Sequence, residues 1–218
     1  MEGKYHITNQ FINKKLIQRP GGNRTPKYAV AHDTGNPNST ALQNYHYFNS
    51  KDLRASAHVF IDDKHILVII PLSEKAWHVR SDVSDANEWG IGVELCYGPS
   101  INFKEAYSRY VWFFAYLCDT YQWDPEMRIK GHFQLDPKRR TDPLNSFHQY
   151  GKTFPFFLED VKYELKKRIV NQEEFKEVVL ASEKLYKVQI GAFSSRKNAE
   201  NLALKAKEAG FSVYIEHL

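Results

Sequence analysis

Apolar positions along the chain fall into short runs separated by stretches of helical spacing. Tyr28 to Ala31, in KYAVAHDTGN, is an apolar run ahead of Asp33, Gly35 and Pro37, and predicts a buried strand that delivers His32 at its end. Ser39 or Thr40 can cap a helix reaching about Asn49, with Leu42, Tyr45 and Phe48 or Asn49 along one side. Ala57 to Ile61 and Ile66 to Ile70 predict two strands joined as a hairpin through DDKH. WGIGVELCYG, residues 89 to 98, predicts another strand. Between Lys104 and Tyr121, residues Tyr107, Val111, Phe114, Ala115 and Cys118 recur at helical spacing, and a further helix is expected from about Pro155 to Val170.

Strands and helices therefore interleave over residues 1 to 168. The expected fold class is α/β, a central mixed β-sheet flanked by helices. Residues 169 to 184 are charged and predict a linker or a connecting helix. From 185 to 218 the pattern changes to a small C-terminal β-α-β unit: a strand Tyr186 to Ile190, a helix Ser195 to Ala209, a stop at Gly210 and a strand Ser212 to Glu216. About 34 residues bury too little to stand alone, so this unit needs a partner surface.

Composition narrows the function classes only a little. Of 218 residues, 42% are hydrophobic and 26% charged, which excludes a disordered chain. Aromatics reach 14%; most are expected to pack, with some available to a groove. A net charge of +4, split among separate basic clusters, gives no reason to expect nucleic acid as a partner. Cys96 and Cys118 form no CxxC pair and are expected as buried free thiols. No run is long enough to predict membrane insertion, and the N-terminal segment lacks the apolar core of a secretory signal.

The stretch GHFQLDPKRRTDPL, residues 131 to 144, carries most of the candidate chemistry. Its proline and aspartates predict a loop rather than a long regular element. His132 is followed ten residues later by Asp142, and His32 lies at a predicted strand end far upstream. Two imidazoles and a carboxylate, with a fourth position open to water, make the donor set of a catalytic zinc. Glu94 lies inside an apolar strand, where a carboxylate is costly unless it is paired, near a metal or open to a cleft. An exposed strand face would also accommodate it, and alternation leaves both readings open.

VAHDTGN (30 to 36), SAHVFIDD (56 to 63), AWHVR (76 to 80), WGIGVELCYG (89 to 98) and GHFQLDPKRRTDP (131 to 143) together resemble, in order and spacing, the zinc-dependent N-acetylmuramoyl-L-alanine amidases of type 2. The likeness covers about residues 20 to 165. It implies that His32, His132 and Asp142 are the zinc ligands and that Glu94 activates water. It places Trp77 and His78 beside a substrate groove, although Trp77 also reads as a core residue. Arg140 stands where many relatives have Lys. Its guanidinium keeps the charge but does not release a proton, so oxyanion stabilisation is its expected role. Ala57 stands where some members carry a catalytic Tyr, which leaves Glu94 as the single expected acid-base group. His58 is expected to support the site rather than to ligate. Lys138, with Arg139, reads either as a contact for stem-peptide carboxylates or as solvated surface.

YKVQIGAFSSRKNAENLALKAKEAGF resembles the first half of a SPOR-type peptidoglycan-binding domain. This implies a wall-binding tail, and its small size suggests a homodimer formed through paired tails. The expected partner is bacterial peptidoglycan and the expected cofactor zinc. The expected setting is a phage or prophage endolysin held in the host cytoplasm until release. A non-catalytic peptidoglycan-recognition protein on the same fold is the competing reading.

Overall fold

A computed structural model describes residues 4–183 and 191–209 together with Phe211, Val213 and Ile215, with backbone alone over 171–183. Two compact units divide at Gln172 and Glu173.

In the first unit the elements run β1 (Ile7–Asn9), β2 (Tyr28–Asp33), α1 (Ala41–Phe48), β3 (Val59–Ile61), β4 (Ile66–Val68), α2 (Ala86–Trp89), β5 (Gly90–Leu95), α3 (Phe103–Tyr121), α4 (Pro125–Arg128), β6 (Ile129–Gly131), α5 (His132–Leu135) and α6 (Leu144–Gln149), followed by α7 (Phe154–Glu183). The expected α/β class is what the chain adopts. Six strands form one mixed sheet in the order β1-β4-β3-β5-β2-β6. All neighbouring pairs are parallel except β3 and β4, the predicted hairpin, where Ile61 faces Ile66.

Local chemistry explains the boundaries. Thr40, one of the two expected caps, starts α1 with a reciprocal pair: its hydroxyl accepts the Gln43 N–H, and the Gln43 Oε1 accepts the Thr40 N–H at 2.8 Å. The turn of the hairpin is closed by Asp62, whose Oδ1 accepts from the Lys64 and His65 backbone N–H groups at 2.8 and 2.7 Å. Its Oδ2 accepts from Ala41 at 2.9 Å, fastening the hairpin to the first turn of α1. Asn102 caps α3.

The core lies between the sheet and α3, whose Tyr110, Phe113, Phe114, Ala115 and Leu117 are fully shielded, with Phe147 and Phe157 packed against them. The central strands carry almost unbroken apolar runs because both of their faces are covered. Cys96 and Cys118 are buried and unpaired, as expected.

Several elements differ from the sequence reading. Two short strands, β1 and β6, were not legible, because ITN and IKG each hold a single large apolar residue, whereas VFI and ILV of β3 and β4 are apolar throughout. Residues 131 to 144 are only partly loop: Gly131 ends β6, His132 opens α5, and Leu144 opens α6. The helix expected to end near Val170 continues to Glu183, so the connecting-helix alternative describes 171 to 183.

In the second unit, α8 (Arg196–Glu208) follows Ser195 as its N-cap residue, close to the expected 195 to 209 helix. None of its side chains is fully buried, and Phe193, Leu204, Phe211 and Ile215 are exposed. The strand expected at Tyr186 to Ile190 lies outside the described residues, as does most of that at Ser212 to Glu216.

Candidate active site

Backbone register brings the candidate residues together. On β2 and β5, His32 pairs with Glu94, so the two side chains leave the sheet on the same face of neighbouring strands. On the other side of β2, Ala31 pairs with Gly131, the last residue of β6. The next residue on each chain is a histidine, and the His32 and His132 rings meet edge to face with centroids 4.6 Å apart. The Tyr110 hydroxyl of α3 donates to the His32 carbonyl at 2.9 Å and holds the end of β2 from below.

Asp142 closes the group. Its Oδ2 lies 2.8 Å from His32 Nδ1 and 3.0 Å from His132 Nδ1. All three side chains are buried, and their donor atoms lie within 4.8 Å of one another. Two ring nitrogens converging on one carboxylate oxygen, away from solvent, is a donor set that suits a small divalent cation such as zinc. Burial lowers the His32 pKa, which favours the neutral imidazole a metal requires. Burial alone would raise the Asp142 carboxyl, but hydrogen bonds from His132 and His32 and their nearby charge hold it below the ordinary range. The residues present therefore fit the cofactor that the resemblance implies.

Glu94 is half-buried, and its Oε2 is shielded from solvent without a hydrogen bond among the described residues. Burial, then repulsion from Asp142 and Asp33, raises its pKa well above the ordinary carboxyl value, while Arg140 opposes the shift. Such a group accepts a proton readily. Arg140 is exposed at the turn between α5 and Asp142; its backbone N–H and that of Arg139 donate to the Asp136 carbonyl. Lys138 is exposed on the same turn. Trp77 is half-buried, its backbone N–H donating to Ser56 Oγ.

His78 differs from the expected place beside a groove. It is buried beneath His32, 3.0 Å from His32 Nε2 through its own Nδ1. His58 is buried further along the same column, its Nδ1 accepting the Gly92 N–H at 3.0 Å, and burial followed by the Arg24 charge pushes its pKa down to about 3. It bonds to the sheet and lies outside the group formed by His32, His132 and Asp142.

One functional side chain was not singled out from the sequence. Asp33, adjacent to His32, is buried and accepts from the Ser146 N–H at 2.9 Å and from Asn145 Nδ2 at 3.2 Å. It ties the start of α6, just beyond Asp142, to the end of β2. A carboxylate directly after a strand-end ligand was the available signal. A second tie joins the Phe133 N–H to the Asp142 carbonyl at 3.1 Å.

Residues 22–145 match the family model for N-acetylmuramoyl-L-alanine amidase, and residues 182–217 match the SPOR domain model. The chain is 30% identical over 161 residues to N-acetylmuramoyl-L-alanine amidase BlyA of Bacillus subtilis, covering 66% of this chain and 44% of that protein. It is 30% identical over 109 residues to N-acetylmuramoyl-L-alanine amidase XlyA of the same organism, covering 49% and 37%. It thus spans less than half the length of these curated relatives. Among solved structures, the catalytic domain of XlyA superposes with a TM-score of 0.63 at 24% identity, over 72% of this chain and 99% of that one. The Staphylococcus aureus hydrolase AmiA, solved with its ligand, gives 0.65 at 17% identity, over 76% and 85%. These two likenesses establish a shared fold. Since the amidase model spans more than half of the 218 residues, the chain belongs to the N-acetylmuramoyl-L-alanine amidase family.

Proposed function

We propose that this chain is a peptidoglycan hydrolase that cleaves the amide between the lactyl group of N-acetylmuramic acid and L-alanine of the stem peptide. The observation that carries the reading is the convergence of His32, His132 and Asp142 beside a solvent-shielded Glu94, in a member of the amidase family.

His32 Nδ1, His132 Nδ1 and an Asp142 oxygen would hold zinc. When bound, the metal polarises the amide carbonyl and lowers the pKa of water to about 7. Glu94 takes the proton from the attacking water, aided by its raised pKa, and returns it to the departing amine. Arg140 supplies positive charge to the developing oxyanion and, as a guanidinium, donates hydrogen bonds without giving up a proton. Trp77 and Lys138 contact the substrate: the indole lies against the glycan or peptide, and the ammonium faces stem-peptide carboxylates.

The division of labour follows the chain: residues 1–168 perform the hydrolysis, 169–184 connect, and 185–218 bind the wall. Exposed Phe193, Leu204, Phe211 and Ile215 support a tail that meets another surface, and pairing of two tails into a homodimer is the arrangement we favour. Light scattering giving a strict monomer at tens of micromolar would remove the dimer.

Release of new N-terminal L-alanine from purified peptidoglycan tests the activity, measured with and without a chelator and with zinc restored. Ends that vanish with chelator and return with zinc are expected. Protein that contains zinc yet liberates no alanine ends from any wall would instead be a recognition protein on this fold.

A further inference from the structure

Asp142 occupies a segment that is tied to itself. The Thr141 carbonyl accepts from the Leu144 N–H at 2.8 Å, and the Pro143 carbonyl accepts from the Phe147 N–H at 3.1 Å and from the Ser146 hydroxyl at 3.0 Å. The place of Asp142 therefore depends on how residues 141 to 147 are attached to the rest of the fold. Besides the Phe133 bond and the burial of Phe147, a buried carboxylate attaches them to β2. Asp33 Oδ2 accepts from the Ser146 N–H at 2.9 Å, and Asp33 Oδ1 accepts from Asn145 Nδ2 at 3.2 Å and from the Gly35 N–H at 3.3 Å.

Asn145 extends this attachment to the other end of the segment. Its Oδ1 accepts from the Thr141 hydroxyl at 2.7 Å, so a single carboxamide reaches from the end of β2 to the residue that precedes Asp142. Chemistry fixes which way the amide faces. The Asp33 carboxylate, already taking N–H groups from Ser146 and Gly35, accepts, so the NH2 end turns to it and the oxygen is left for Thr141. Asp33 directly follows His32, and Asp142 directly follows Thr141. The link thus joins the two positions from which His32 Nδ1 and Asp142 Oδ2 come to lie 2.8 Å apart. Asn145 and Thr141 are both exposed, so neither is there to fill the core. A helix cap would bond backbone N–H groups of α6; among the described residues Asn145 bonds two side chains instead.

We propose that Asn145 is a positioning residue for Asp142: its carboxamide, held between Asp33 and Thr141, sets where the Asp142 carboxylate meets His32 and His132. The consequence for zinc rests on the metal reading above, while the geometry is measurable without metal. Groups that orient a ligand from outside the coordination sphere change metal affinity by about 10- to 100-fold, and Asn145 acts one residue away from the ligand, so the lower end applies. Because the side chain is exposed, its loss should leave global stability nearly untouched. That combination separates a positioning role from a structural one.

The experiment uses the full chain and compares the parent, Asn145→Ala, Asn145→Asp and the double variant Asp33→Asn with Asn145→Asp. Zinc affinity is measured by chelator competition, and melting on metal-free protein. We expect Asn145→Ala to bind zinc about tenfold more weakly while melting within about 2 °C of the parent. Asn145→Asp keeps the shape but sets a second carboxylate against Asp33, and should lose at least as much affinity. The double variant exchanges donor and acceptor across the same contact and should regain most of the loss. Parent-like zinc affinity in Asn145→Ala would overturn the proposal, as would an affinity that falls only in step with the melting temperature, or a double variant no better than Asn145→Asp. Ring carbon–proton NMR signals of the metal-free protein give the second readout. Those of His32 and His132, which both contact Asp142, should shift in Asn145→Ala, whereas those of His65 on the hairpin turn should not. If the parent binds no zinc, the metal reading fails, and unmoved His32 and His132 signals would by themselves overturn the role of Asn145.

Discussion

The site is built from two arms held in different ways. His32 and Glu94 lie on neighbouring central strands, where six consecutive residue pairs set the register and Tyr110 anchors the strand end from α3. His132 and Asp142 lie on a stretch of short helix and turn, held by the bond from Phe133 to the Asp142 carbonyl and by the reach of Asp33 to Ser146 and Asn145. The histidines differ in the same way: His32 Nε2 has a partner in His78, whereas His132 Nε2 is shielded from solvent and makes no hydrogen bond among the described residues. The difference teaches that one arm is preorganised by the sheet. The other depends on one backbone bond and the side chain of Asp33, which originates in the strand arm.

The largest effect is expected when a donor of the weaker arm is lost. His132→Ala should retain no stoichiometric zinc by atomic spectroscopy and should lose stability, because metal binding contributes to folding. A variant that keeps one equivalent removes His132 from the site and with it the two-arm description. Next, Glu94→Ala tests whether the strand arm carries chemistry rather than structure. Zinc content and the fold should be preserved while alanine release falls by about 10²- to 10⁴-fold. Hydrolysis near the parent rate would show that the base lies elsewhere.

Arg140→Ala should lower turnover by about 10²- to 10³-fold without altering zinc content, and Arg140→Lys should recover much of it, since only charge and hydrogen bonding are asked of the residue. Asp33→Ala probes the tie between the arms. Removing the acceptor of a buried backbone N–H should cost about 1–3 kcal/mol in thermal or denaturant unfolding and should weaken zinc retention, even though Asp33 touches no donor atom. Unchanged zinc retention in that variant would mean that Asp142 holds its place without help from β2.

The smallest effect concerns pH. The raised pKa of Glu94 means that the folded protein holds this proton more tightly than the unfolded chain does. Its contribution to the stability of the metal-free protein is therefore lost as pH climbs from the ordinary carboxyl range toward the raised value, while buried His32, His58 and His78, with lowered pKa values, contribute in the opposite sense. Glu94→Gln removes that slope and should melt at a higher temperature than the parent at neutral pH. An advantage of Glu94→Gln over the parent that does not grow between pH 5 and pH 7.5 would contradict the shielded-carboxyl picture.

Legibility in the sequence follows the same division. The apolar run before His32 and the GIGVELCY run around Glu94 are local signals, and both became central strands. Thr40 and Asp62 were likewise visible, as a helix start and a turn, because caps and turns are made by residues a few positions apart. The neighbourhood of His132 was harder. Its strand is only Ile129–Gly131, and its meaning lies in pairing with a strand about a hundred residues earlier. His78 was harder still, since its burial depends on the missing side chain at Gly92 and on the clamp by Asn87. A glycine inside an otherwise apolar strand run was the one available hint of a close approach.

By itself, then, the sequence determined the α/β class, the central strands, the helix caps, and which residue types were available to ligate and to exchange protons. These follow from periodicity and from short-range hydrogen bonding. Only the tertiary structure decided that Ala31 pairs with Gly131 and His32 with Glu94, that Asp142 returns to meet both imidazoles, and that His78 lies beneath them rather than beside a groove. Register, and the close packing of a ring over a glycine, are relations between distant segments. No stretch of either segment encodes them alone.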